Sequence, residues 1–177
     1  MPYYRSVGEV PRKRHTQFRQ PDGSLYAEEL MGQEGFSSDS SLLYHRHLPT
    51  AIVAAEEYTP PTWSRVPNLP LKPRHLRTHK LDSSGADPVL GRQHLLVNDD
   101  VRISYVVADR PSPLYRNAIG DECLYVESGA ARIESPFGAL GVTAGDYVII
   151  PTSVVYRIVP IPPAPLRLLT IEASGHI

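Results

Sequence analysis

"GDECLYVESG" (residues 120–129) is the stretch whose reading decides the fold. Leu124 and Val126 stand two apart, the spacing that puts side chains on one face of a β-strand, and Glu122 falls on the same face. Gly129 then supplies a turn. If that face meets the core, a carboxylate is buried with it. An unpaired buried charge costs several kcal/mol or shifts its pKa, so Glu122 must find a partner inside the protein.

Outward from this strand the pattern stays β. "VRISYVVAD" (101–109) alternates Val101, Ile103, Tyr105 and Val107 against polar or smaller neighbours, which predicts a half-buried strand. After "ECLYVES" come "ARIES", a turn at "SPFG", and "LGVTAGD", "YVIIP", "VVYRIVP" and "LRLLTIEA". Short strands split by Gly, Pro, Asp and Ser point to a sandwich or barrel rather than to βαβ units. The first half is less regular. "SLYAEELMG" and "SSLLYHRHLPTAIVAAEEY" suit helix or strand, and the alternation of Leu42, Tyr44 and Arg46 with Leu43, His45 and His47 favours strand. Residues 60–75 hold five prolines and should form an extended loop. The chain therefore divides into N-terminal strands with a proline-rich loop packed on a barrel (1–94) and the barrel itself (95–177).

Composition narrows the function. The chain has 177 residues, a net charge of −1 and 21% charged side chains, so nothing in its totals points to nucleic acid or an anionic membrane. Cys123 is the one cysteine, which excludes an internal disulfide and a four-thiolate zinc site. "MPYYRSVGEVPRKRH" lacks the apolar core of a secretory signal, and no run approaches a membrane span, so a cytoplasmic protein is expected. "RKRH" (12–15) is read as a locally paired basic run rather than a nucleic-acid patch.

Glu122 with Gly129 seven residues later, then Gly145, Asp146, Pro151 six after Gly145, and Ser153, resemble the two backbone motifs of a cupin. The resemblance implies a jelly-roll barrel or sandwich in which two histidines, a glutamate and a last histidine converge on one cation. Here the first histidine positions fall on Tyr115 or Arg116 and on Asn117 or Ala118, and Tyr156 stands in the last. Three of four ligands are missing. The expectation is that residues 1–177 bind no metal or cofactor, and that Glu122 and Tyr156 form a structural pair across the barrel. His45 and His47 have the i, i+2 spacing of a metal pair, and His75 and His79 are four apart. Without a carboxylate nearby in sequence, such histidines are read as surface or hydrogen-bonding groups.

Five ordered segments, "LYAEELMG" (25–32), "SLLYHRHLPTAI" (41–52), "LYRNAIGDECLYVESG" (114–129), "GDYVIIP" (145–151) and "IEASGHI" (171–177), resemble the N-terminal half of bacterial homogentisate 1,2-dioxygenases. That resemblance implies a non-haem iron enzyme that opens the ring of homogentisate with Fe(II) and O2 to give maleylacetoacetate in tyrosine catabolism. It also implies that the iron lies in a C-terminal catalytic half outside this chain, and that the protein assembles as a trimer or hexamer. The 177-residue chain alone should then be inactive. Its end at "ASGHI", just after a strand, favours a part of a longer protein. The alternative is a self-contained, metal-free cupin that binds a small molecule or a protein partner.

Overall fold

The computed structural model describes residues 18–34, 37–59, 62, 64–82 and 85–177. The chain folds as two compact units, Met1–Trp63 and Ser64–Ile177. His15 and the "RKRH" run lie outside the described residues.

The first unit holds an antiparallel hairpin of β1 (Ala27–Glu34) and β2 (Ser37–His45), with Ala27 opposite His45 and Met31 opposite Ser41. The strand reading of Leu42 to His45 is correct, but β2 stops at His45. His47 lies in the bend beyond, so the two histidines do not share a strand face as the spacing suggested. In the second unit, the described residues of the proline-rich stretch carry neither helix nor strand, and a single 3-10 turn follows at Thr78–Lys80. Among the described residues no helix is long and apolar enough to cross a membrane.

Nine strands build the rest of the second unit: β3 (Gln93–Val97), β4 (Val101–Ala108), β5 (Tyr115–Arg116), β6 (Glu122–Ser128), β7 (Ala130–Ser135), β8 (Gly138–Thr143), β9 (Tyr147–Ile150), β10 (Val155–Pro160) and β11 (Leu166–Ala173). All pairings are antiparallel. One sheet runs β5-β10-β7-β8 and the other β3-β4-β11-β6-β9. The expected cupin-like jelly roll is present, as a mostly β sandwich whose sheets do not close into a barrel.

Register explains the core. Val106, Leu168 and Val126 lie side by side across β4, β11 and β6, and all are buried. Two residues back along β4 the row is Ser104, Thr170 and Leu124, and two further back it is Arg102, Glu172 and Glu122. Because successive same-face residues step by two, the inner face changes from apolar at one end to charged at the other. The expectation for β4 needs correction here. Arg102, Ser104, Val106 and Ala108 face inward, not the Val101–Val107 set. Tyr105 and Val107 are buried as well, so the strand is covered on both faces rather than half-buried. Part of that outer cover is visible at β11, where Arg167 on the outer row of Val107 donates to the carbonyl of Leu81 at 3.2 Å. A strand covered on both sides has no polar face for alternation to reveal.

Two turns hold the rows in place. Gly129, between β6 and β7, has φ +82°, and a Cβ there would lie 2.6 Å from the Pro165 carbonyl oxygen. Gly145, between β8 and β9, has φ +96°, and its N–H donates to the Val126 carbonyl at 2.8 Å. Both positions demand glycine, for close approach in one and left-handed backbone in the other.

Candidate functional site

The charged end of the sandwich converges on one buried guanidinium. Arg92 stands just before β3, after a turn in which Asp87 Oδ1 accepts from the N–H groups of Val89 and Leu90 at 2.9 and 2.8 Å. That turn is anchored again when Arg92 Nε donates to the Pro88 carbonyl at 3.1 Å. The guanidinium then reaches inward. Nη1 donates to Glu122 Oε1 at 2.6 Å, and Nη2 donates to the Tyr156 hydroxyl at 3.0 Å. The Tyr156 hydroxyl in turn donates to Glu122 Oε2, which closes a three-membered ring of hydrogen bonds. Glu122 and Tyr156 are each 0% exposed.

A second carboxylate flanks this ring. Glu172 Oε1 lies 3.4 Å from Arg92 Nη1, and its Oε2 lies 3.7 Å from Arg102 Nη1. Tyr115, opposite Tyr156 in the β5–β10 pair, sets its ring edge-on to Tyr156 at 5.7 Å, and the Arg92 guanidinium lies 5.8 Å from the Tyr115 ring centre. The electrostatics follow from burial. Desolvation pushes the Tyr156 phenol above its usual range, and Glu122 adds to that push against the opposing charge of Arg92. Burial alone would lower the Arg92 pKa, but its interactions with Tyr156 and with the carboxylates of Glu122 and Glu172 outweigh this and hold it protonated. Glu172 is raised above the ordinary carboxylate range, first by burial and then by Glu122, with Arg92 and Arg102 opposing.

The sequence-derived ligand positions can now be placed. Of the paired alternatives, Tyr115 and Asn117 are the half-buried members, and Arg116 and Ala118 are exposed. Asn117 Oδ1 accepts from the Ile119 N–H at 3.0 Å, so its side chain shapes a turn. Glu122 and Tyr156 are brought together. The donor set does not fit a cupin metal. A permanently charged guanidinium occupies the carboxylate, and the phenol is held in its protonated form. His45 Nε2 is 2.7 Å from Glu29 Oε2, a carboxylate from the facing strand of the hairpin. His75 lies in irregular chain and His79 in the 3-10 turn. Among the described residues no group of three His, Cys, Asp or Glu side chains has a metal-binding arrangement.

Sequence reasoning missed Arg92, Glu172 and Arg102. Glu172 and Arg102 could have been found, because the inward register of β6 fixes that of its neighbours once the sheet order is known. Arg92 sits outside any strand and has no periodicity to betray it. The only available signal was the demand itself: a buried Glu122 requires a cation.

Beside this centre opens a cleft of about 240 Å3. Glu172, Arg102 and Tyr115 line it, with Asp100, Ile119 and the ion-paired Arg65 and Asp99 among the remaining walls. Glu172 Oε2 is buried there without a hydrogen-bond donor among the described residues.

No protein-family model matches the chain. It is 39% identical over 160 residues to a Saccharolobus solfataricus protein described as "Putative dioxygenase", a match that covers 89% of this chain and 41% of that protein. The chain thus spans about two-fifths of the length of that curated relative. Among solved structures it superposes on a Klebsiella pneumoniae protein with a double-stranded β-helix domain, at 19% identity and a TM-score of 0.52, over 59% of this chain and 92% of the other. A cupin superfamily protein from Desulfitobacterium hafniense matches at 17% identity and a TM-score of 0.49, over 62% and 98%. The superposition on the Klebsiella protein supports a cupin-like, double-stranded β-helix fold. The assignment to homogentisate dioxygenases is overturned: the curated relative carries only the broader description of a dioxygenase. The five segments that carried the resemblance lie largely in strands and turns of the scaffold, "GDYVIIP" and "ECLYVESG" above all. Scaffold residues identify a shape, and substrate choice is not written in them.

Proposed function

We propose that this chain is a metal-free cupin module belonging to a longer dioxygenase-type oxidoreductase, where it serves as the structural partner of a catalytic portion. One observation carries the reading. The point at which cupin ligands would converge is filled by the Arg92 guanidinium, which satisfies both Glu122 and Tyr156. The protein has placed an internal cation where the fold otherwise places a metal. Any iron that the longer protein uses is then held outside these residues. The relative described as a dioxygenase, more than twice as long as the matched region, supports the part-of-a-larger-enzyme reading.

The test is metal content. The purified 177-residue chain, incubated with Fe(II), Mn(II) or Zn(II) and then desalted, should retain far less than one equivalent by elemental analysis. With Fe(II) present it should also consume no more oxygen than the same Fe(II) solution without protein. A stoichiometric metal that is lost on Glu122→Gln would overturn the proposal. A second reading, a cupin that binds a small molecule in its own right, is favoured by the cleft beside Glu172.

A further inference from the structure

We propose that the cleft beside the Arg92 centre is a binding site for a neutral, hydroxyl-bearing ring compound, with Glu172 and Arg102 as the recognition pair and Tyr115 as the stacking face. The inference deepens the metal-free reading and rests on it, because Arg92 already engages Glu122 and leaves Glu172, which lines the cleft, as the less completely matched carboxylate.

Three observations carry it. First, Glu172 is 9% exposed, lines the cleft, and has one carboxylate oxygen without a hydrogen-bond donor among the described residues. A buried acceptor left unmatched costs free energy, and a donor arriving from the cleft recovers it. Second, that oxygen lies 3.7 Å from Arg102 Nη1, too far for a direct hydrogen bond. A hydroxyl set beside both can donate to Glu172 and accept from Arg102 at once. An ammonium cannot accept, and it would meet the positive charges of Arg102 and Arg92. A carboxylate or phosphate cannot donate to Glu172, and it would meet that carboxylate and Asp100, Asp99 being already paired with Arg65 on the same wall. Third, the Tyr115 ring and the Ile119 side chain give the cleft apolar surface against which the C–H faces of a ring can lie. The volume suits one small ring rather than a polymer or a nucleotide.

The class is tested with three six-membered rings of similar shape: cis-1,2-cyclohexanediol, cyclohexylammonium and cyclohexanecarboxylate. Each is titrated into the isotope-labelled chain and followed by NMR. The diol should give saturable shifts at Arg102, Tyr115 and Glu172 at roughly millimolar concentration, the affinity a few polar contacts can supply. The two charged rings should bind about tenfold more weakly or not at all, the size of one hydrogen bond to a charged group. Arg102→Leu should weaken the diol by a similar factor. No saturable shift with the diol, equal or tighter binding of a charged ring, or shifts located elsewhere would overturn the proposal. The analogue comparison and the shift positions are read on the wild-type chain, so they do not depend on the variant folding. Metal content measured on the same sample separates the two claims: bound metal sinks the metal-free reading, whereas a metal-free chain that ignores the diol sinks this one.

Discussion

Glu29 and Glu122 make the same kind of contact in two different surroundings. Glu29 Oε2 meets His45 Nε2 at 2.7 Å on an open hairpin, where the two side chains are 31% and 23% exposed. Glu122 Oε1 meets Arg92 Nη1 at 2.6 Å inside the sandwich, where they are 1% and 4% exposed. The distances are nearly equal. The consequences of breaking them are not, because water replaces a lost partner on the hairpin and cannot do so in the core. Burial, rather than proximity, separates a pair that shapes the fold from one that decorates it.

The sharpest break in the comparison is Arg92→Leu. It leaves Glu122 buried opposite a protonated phenol and Glu172 without its nearer cation. Removing one partner of a buried ion pair costs about 3–5 kcal/mol, a large share of the stability of a domain this size. Urea unfolding followed by circular dichroism should show the midpoint fall accordingly. A loss below about 1 kcal/mol would mean that solvent reaches Glu122 and that the contrast with Glu29 is false.

Substitutions at Glu122 come next. Glu122→Leu removes the acceptor of both Tyr156 and Arg92, but Arg92 keeps Glu172 at 3.4 Å. The expected loss is about 1–3 kcal/mol. Glu122→Gln keeps one acceptor oxygen at similar volume and should lose less. Tyr156→Phe deletes the bridging hydroxyl alone, and should resemble Glu122→Gln in thermal unfolding. Equal stability of all three variants and the wild type would dissolve the proposed ring of hydrogen bonds.

These residues also show how far the sequence could be read. The strand pattern after Leu95 is legible because alternation, turn glycines and prolines agree. The inward placement of Glu122 follows from Leu124 and Val126 alone. Tyr156 could be matched to it through the Gly145 to Pro151 spacing. Arg92 could not, since its position depends on how a turn at Asp87 aims one side chain at a strand thirty residues away. β4 was misread for a related reason: its cover comes from both sides, and only the sheet order reveals it. The hairpin shows the converse. Glu29 reaches His45 because the strands are antiparallel and Glu29, opposite Leu43, lies diagonal to His45 on the same face. A carboxylate judged absent by sequence distance is present by register.

Glu172 sharpens the comparison through pH. Its pKa is raised in the folded protein, so the folded state holds that proton more tightly than the unfolded chain does. Between the ordinary carboxylate pKa and the raised value, Glu172 holds more of its proton in the native state, and its own contribution to stability falls as pH rises. The penalty is complete above the raised value. Glu172→Gln should flatten that slope in denaturation midpoints measured across the acidic range. An unchanged slope would place the titration elsewhere.

The smallest effect belongs to the hairpin. Glu29→Gln leaves a hydrogen-bonding group opposite His45 and removes only the charge, in a place where both side chains are partly solvated. Exposed pairs of this kind contribute about 0–1 kcal/mol and weaken with salt, since the screening length at physiological ionic strength is about 8 Å. The variant should therefore unfold within about 0.5 kcal/mol of the wild type. The remaining difference should shrink further when sodium chloride is raised to about 1 M, where screening acts over about 3 Å. The buried pair offers the control: the cost of Arg92→Leu should survive the same salt almost unchanged, because ions do not enter the sandwich. If salt moves both differences alike, the two carboxylates share one environment, and the division between a structural pair in the core and a decorative one on the hairpin fails.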